Sequence, residues 1–251
     1  MAEPYELALL VEERADRVAV TLNRPDRRNA IDMQFVEELH EVCGRLERDP
    51  RLLLITGGSD GVFVGGADIA QLRDRGRIEA LAAINVGVFE RLRRLPMPTI
   101  AAIDGAALGG GAELAYACDL RVCTSRTFFG QPEVRLGIIA GGGACFRLPA
   151  LVGEPMAKEI LLTGRRVLAD EAFAIRLVNR VVDEPAELLP TAHAMLDEIA
   201  KGSALAVRLT KATVDAPPGA HPQLDLANQA ILFEDQDKRD RMTAFMERRR
   251  D

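Results

Sequence analysis

One arrangement recurs through the first part of this chain and restricts its fold more than any other: a short apolar strand-like run, then a glycine cluster, then a helix. Leu52–Thr56 leads into the glycine-rich stretch Gly57–Gly66, followed by helical patterns near Asp68–Arg73 and Arg77–Leu95. Thr99–Ile103 leads into Gly105–Gly111 and a helix at Ala112–Ala117. Leu120–Thr124 is followed by the strand and turn Phe128-Phe129-Gly130-Gln131-Pro132-Glu133 and by the glycines Gly141–Gly143. Alternating β and α elements of this kind predict an α/β protein, with stacked strands and helices outside them.

Tyr5–Glu12 and Arg17–Asn23 read as a hairpin, and Arg24–Asn29 as a loop. Asp32 is placed to cap an amphipathic helix that runs to about Arg48. From about Ala186 the pattern is almost wholly helical, interrupted by Pro217-Pro218-Gly219. The expectation is therefore a sheet-containing core over 1–195 and a C-terminal helical region over 196–251. A chain of 251 residues can bury one large core.

A net charge of −6 argues against a nucleic-acid surface, although a local arginine cluster can still hold phosphate. No apolar run approaches the ~20 residues that span a bilayer. Met1-Ala2-Glu3-Pro4 has neither the basic nor the apolar part of a secretory signal, so a cytoplasmic location is expected. Cys43, Cys118, Cys123 and Cys145 lack Cys-x-x-Cys spacing and read as free thiols. His40, His193 and His221 share no ligand spacing, so no metal site is expected.

The chemistry is carried by Gly105-Ala-Ala-Leu-Gly109-Gly110-Gly111-Ala112-Glu113. A helix that opens on glycines presents N–H groups with no intrahelical partner and no side chain in front of them. Such an end favours negative charge. Glu113 follows Gly110 by about one turn, so its carboxylate can face the same space. Tight helix–strand packing, with Glu113 complementing the helix dipole, accounts for this segment equally well when it is taken alone. Gly65-Gly66-Ala67-Asp68-Ile69 is a second helix start made of small residues, and Gln131-Pro132-Glu133 places another glutamate in an apolar region. Two carboxylates in one apolar site acquire different proton affinities, which suits paired acid–base work.

Taken together, these segments resemble the crotonase, or enoyl-CoA hydratase, superfamily over nearly the whole chain. The matching residues are Leu22-Asn23-Arg24-Pro25 with Asn29-Ala30, Gly66-Ala67-Asp68-Ile69, and Gly105 through Leu114. Phe129-Gly130-Gln131-Pro132-Glu133 with Leu136-Gly137, Leu162-Thr163-Gly164 and Met242-Thr243-Ala244-Phe245 also match, in order and spacing.

The resemblance implies a spiral of ββα units with a C-terminal helical region for trimerisation and completion of the acyl pocket, assembled as a trimer or a dimer of trimers. It implies an acyl-CoA thioester substrate, with coenzyme A entering as part of that substrate and no separate cofactor. The backbone N–H groups of Ala67 and Gly110 map onto the family's oxyanion hole, and Glu113 and Glu133 onto its catalytic pair. Arg24, Arg28, Ala30, Asp68, Ile69 and Gly109, with Ala67 and Gly110, map onto the CoA and substrate contacts; Arg27 shares the arginine loop. Ala140, Cys145-Phe146, Arg176 and Arg241 depart from the common pattern and leave the acyl preference open. Within the superfamily, a double-bond isomerase is the nearest alternative, since it needs one carboxylate. A CoA-binding protein without turnover is another.

Two more distant readings are weaker. Gly57-Gly58-Ser59-Asp60-Gly61 matches a hydrolase nucleophile elbow, with His193 or His221 as base, but Val62-Phe63-Val64 follows where a helix should begin. Gly105-x-x-x-Gly109-x-Gly111 matches a short-chain dehydrogenase glycine pattern, but it falls mid-chain, and neither Tyr5 nor Tyr116 has a lysine four residues on.

Overall fold

The computed structural model describes residues 7–58 and 61–248. Among the described residues ten strands form two sheets. The larger has six strands in the order β1 (Leu9–Glu13), β2 (Arg17–Leu22), β3 (Leu52–Thr56), β5 (Thr99–Ile103), β7 (Leu120–Thr124), β10 (Arg180–Val182). The smaller has the order β4 (Val62–Val64), β6 (Ala106–Leu108), β8 (Phe128–Gly130), β9 (Arg166–Leu168). Apart from the β1–β2 hairpin and the β8–β9 pair, every pairing is parallel.

Each of β3, β5 and β7 in the first sheet is followed by β4, β6 or β8 in the second, so the chain steps between sheets and advances by one strand on each circuit. This is the expected spiral of ββα units. Parallel neighbours buried on both faces require continuous apolar strands, and β3 and β5 are buried at every position.

The helices are α1 (Met33–Arg48), α2 (Ile69–Asp74), α3 (Arg77–Leu81), α4 (Ile84–Arg93), α5 (Gly110–Ala117), α6 (Ala144–Val152), α7 (Glu154–Thr163) and α8 (Ala169–Ala174). The C-terminal set comprises α9 (Leu188–Ala200), α10 (Ala204–Val214), α11 (Gln223–Glu234) and α12 (Gln236–Arg248). Asp32 caps α1 as expected, accepting from Phe35 N at 2.9 Å. α9 packs Leu188, Ala192 and Leu196 against the large sheet with Leu54, Ile100 and Val122. It runs through the expected division at 195/196. α10, α11 and α12 have no buried residue.

Several expectations shift. The first strand begins at Leu9, and Tyr5 lies outside the described residues. The single helix expected over Arg77–Leu95 is two, because Ala83 adopts a left-handed φ of 55° between α3 and α4. Strands β4 and β6 lie inside the two glycine-rich stretches, and β9 and β10 carry no apolar run long enough to be read. Arg176, at a position where the resemblance calls for glycine, has a φ of 65°, the backbone region glycine favours.

Candidate active site

A cavity of about 480 Å³ opens between α2–α4 on one side and the starts of α5 and α6 on the other, and it is lined by Ala67, Gly110, Glu113 and Glu133 together. Three segments far apart in sequence, around Ala67, the start of α5 and Glu133, thus meet in one cavity. They meet because β4, β6 and β8 are parallel neighbours, so the segments that follow them emerge at the same edge.

Ala67 is held in place by a bridge to Ile31. Ile31 N donates to Gly66 O at 3.0 Å, and Asp68 N donates to Ile31 O at 3.0 Å. In such a parallel bridge the backbone groups of the intervening residue turn away from the partner strand, which directs the Ala67 N–H toward the cavity side. Gly110 is the first residue of α5, so its own N–H has no intrahelical acceptor. A Cβ built on Gly110 would stand 3.9 Å from Ala67 N, so the two N–H groups border one small space.

Glu113, one turn into α5, is 3 % exposed, and its Oε1 accepts from Ala144 N at 3.0 Å. Burial pushes its carboxyl up, opposed by the backbone donors of Ala144, Gly142 and Gly143 and by nearby Arg147. Residue 142 must be glycine for this contact, because a Cβ there would collide with the Glu113 carboxylate.

Glu133 opens a 3-10 turn (Glu133–Leu136) after Pro132 and is 9 % exposed. Burial, with the Glu113 carboxylate beside it, pushes its carboxyl up to about 7. The Gln131 amide lies 3.1 and 3.0 Å from the two Glu133 oxygens. With its nitrogen facing them it donates to the carboxylate; turned over, its oxygen accepts the proton of the neutral acid. Gly109, with φ 51°, brings the backbone close, and a Cβ on it would stand 2.8 Å from Glu133 Oε1.

The arginine loop corrects one expectation. Arg24 is 7 % exposed and its guanidinium is paired two-pronged with Asp32, one contact being 2.9 Å, so its side chain holds the α1 cap in place and is not turned toward a ligand phosphate. Asn29 is the anchor of this loop. Its Oδ1 accepts from Arg24 N at 2.8 Å, and its Nδ2 faces the carbonyls of Gly57, Val62 and Phe63. Arg27 and Arg28 are exposed, and Arg28 O accepts from Gly65 N at 2.8 Å, which places Arg28 two residues from Ala67. Ala30 is half-buried, donating to Arg27 O at 3.1 Å. Asp68 caps α2 through Gln71 N at 2.9 Å, and Ile69 is exposed beside it.

Of the weaker readings, Ser59 and Asp60 lie outside the described residues, while Val62–Val64 is a strand. His193 faces Arg17 and His221 pairs with Asp225 at 2.5 Å, both away from the cavity lining. Asn85, Ala144 and Arg147 had no place in the sequence reading. For Asn85 the sequence held a signal, a polar residue between Ile84 and Val86 in a helical stretch.

A spiral of parallel strands with two N–H groups and two buried carboxylates in one cavity defines a family, and sequence comparison agrees. The family described as Enoyl-CoA hydratase/isomerase matches residues 12–251, so the chain belongs to it. The chain is 40 % identical to a short-chain-enoyl-CoA hydratase of Clostridium acetobutylicum, covering 98 % of this chain and 97 % of the relative. It is 42 % identical to a crotonyl-CoA hydratase of Syntrophomonas wolfei, over 98 % and 97 %. Its fold superposes on the crystal structure of an enoyl-CoA hydratase from Bacillus anthracis with a TM-score of 0.90 at 30 % identity, covering 96 % of each chain.

Proposed function

We propose that this protein is an enoyl-CoA hydratase, which adds water reversibly and syn across the C2=C3 bond of a 2-enoyl-CoA thioester to give a 3-hydroxyacyl-CoA. The observation that carries the reading is the presence of Glu113 and Glu133 in one cavity beside the Ala67 and Gly110 N–H groups. In this scheme the thioester oxygen lies against the two N–H groups, which stabilise enolate character as C3 is attacked. Glu113, whose carboxyl is raised by burial and held against that by backbone donors, orients the water and takes its proton. Glu133, with a proton affinity near neutrality, delivers a proton to C2.

Glu113→Gln and Glu133→Gln are each expected to lower the rate on crotonyl-CoA by roughly 10²–10⁴. Near-full hydration by either variant removes that glutamate from the scheme. An isomerase would instead shift a 3-enoyl-CoA without hydrating the 2-enoyl ester.

Arg28 is the side chain best placed for a CoA phosphate, since it is exposed and tied through its carbonyl to the Ala67 segment. The backbone at Ala67, Asp68 and Ile69 takes the pantetheine or adenine. Coenzyme A comes and goes with the acyl group, and no further cofactor is required by these steps. A homotrimer or dimer of trimers is supported by the apolar side chains that the C-terminal helices expose, among them Leu226 at 67 % and Met242 at 53 %. Light scattering on the purified chain tests this. Free thiols at Cys43, Cys118, Cys123 and Cys145 favour a reducing compartment, in keeping with the cytoplasm. Among the described residues no helix is long and apolar enough to cross a membrane.

A further inference from the structure

The Glu113 carboxylate is met by backbone N–H groups of Gly142, Gly143 and Ala144, from the turn that opens α6. Three consecutive glycines, Gly141-Gly142-Gly143, have little stiffness of their own, so this turn takes its direction from what grips it. Arg147, in the first turn of α6, reaches back to do so: its Nη1 donates to Gly142 O at 3.0 Å. The guanidinium is buried, paired through Nη2 with Glu90 of α4 and laid over the Phe146 ring at 4.8 Å. Gly143, with φ 122°, leaves room for it, since a Cβ there would collide with Nη1. The Gly142 carbonyl and the Gly143 N–H belong to one planar trans peptide and so point in opposite directions. With the oxygen drawn to Arg147, the N–H of the same peptide is turned to Glu113. Arg147 does not line the cavity, so it reaches the reacting atoms only through Glu113.

We propose that Arg147 is a positioning residue for the hydration step, holding the Gly142–Gly143 peptide so that Glu113 stays aimed at the attacking water. This rests on the hydratase reading and adds a residue to it. An arginine here could simply tie α6 to α4 through Glu90, supporting the fold and leaving the reaction alone. The second contact separates the two roles. Gly142 O lies ahead of α6 and takes no part in that helix's own bonding, which starts with Gly143 O accepting from Arg147 N at 3.0 Å. Gripping Gly142 O therefore does nothing for the helix ladder and acts on the turn that serves Glu113.

The test measures kcat and KM on crotonyl-CoA for the wild type, Arg147→Met, Arg147→Lys and Glu90→Gln, with thermal melts to confirm folding. Arg147→Met is expected to lower kcat about 30-fold at nearly unchanged KM, the mark of a base displaced from its aim. Arg147→Lys keeps a long donor for the carbonyl and is expected to return kcat to within about threefold of wild type. Glu90→Gln removes the ion pair alone and is also expected to stay within about threefold. Adding Arg147→Met to Glu113→Gln is expected to cost less than about threefold more, because the group that Arg147 serves is already gone. A further loss of about 30-fold in that double variant overturns the inference, since Arg147 would then act by another route. It is equally overturned by a rise in KM with kcat kept, by Arg147→Lys no faster than Arg147→Met, or by Glu90→Gln as slow as Arg147→Met. Arg147→Gln, shorter and uncharged, repeats these comparisons should Arg147→Met fail to fold. A wild type that does not hydrate crotonyl-CoA overturns the hydratase reading, and this inference with it.

Discussion

Glu113 rides on a regular helix and is met by backbone N–H groups of the 142–144 segment, whereas Glu133 opens a 3-10 turn and faces a side-chain amide. Backbone donors cannot be turned round, so they favour the charged form of Glu113 at every stage. The Gln131 amide has two different ends and serves either protonation state of Glu133. Burial raises both carboxyls; the backbone donors of 142–144 and Arg147 oppose it at Glu113, whereas the Glu113 carboxylate adds to it at Glu133. Two chemically identical side chains thus acquire different proton affinities from what surrounds them, as the proposed division of duties requires.

The strongest way to break this contrast is at Gly142. Gly142→Ala puts a methyl group onto the Glu113 carboxylate and must displace it, so kcat/KM on crotonyl-CoA is expected to fall about 100-fold. A fall of less than threefold in a folded variant would mean that Glu113 needs no such fixed position. The Glu133 side is probed by pH. If Glu133 must carry its proton, kcat/KM falls about tenfold per pH unit above about 7. That alkaline limb should be absent in Glu133→Gln, whose residual rate stays flat from pH 6 to 9.

The smallest effect concerns stability. The folded-state carboxyl of Glu133 is raised to about 7 from 4.5, so the folded protein holds this proton more tightly than the unfolded chain. The stability linked to that proton is therefore complete below about pH 4.5 and is lost as pH rises through about 7. Glu133→Gln does not titrate, so its stability relative to wild type is expected to grow by about 2–3 kcal/mol between pH 5 and 8. Urea unfolding at the two pH values measures this, and a constant difference would mean that Glu133 is not raised.

The sequence discloses the spiral wherever a largely apolar run extends over five residues, as at β3 and β5, and wherever a cap is local, as at Asp32. Of the three-residue strands it shows β8 and conceals β6, β9 and β10, which pair through neighbours that only the fold supplies. The break at Ala83 carries no glycine or proline to announce it. Within the cavity, the glycine-started helix and its glutamate could be argued from local physics. The backbone donors to Glu113 come from residues 142–144, about thirty positions away, and that approach has no sequence signature. Arg24 shows the opposite error: an arginine in a polar loop reads as available, and only packing reveals that Asp32 has taken it.

The Gln131 amide beside Glu133 has a consequence for the whole cycle. In the proposed hydration Glu113 ends with a proton and Glu133 without one, the mirror image of the starting arrangement. A pocket tuned to one arrangement would have to climb back after every turnover. On the Glu133 side the Gln131 amide offers both a donor and an acceptor end, so the emptied and the filled carboxyl each have a partner within reach. The climb back is then confined to Glu113, whose fixed backbone donors draw it toward its charged form.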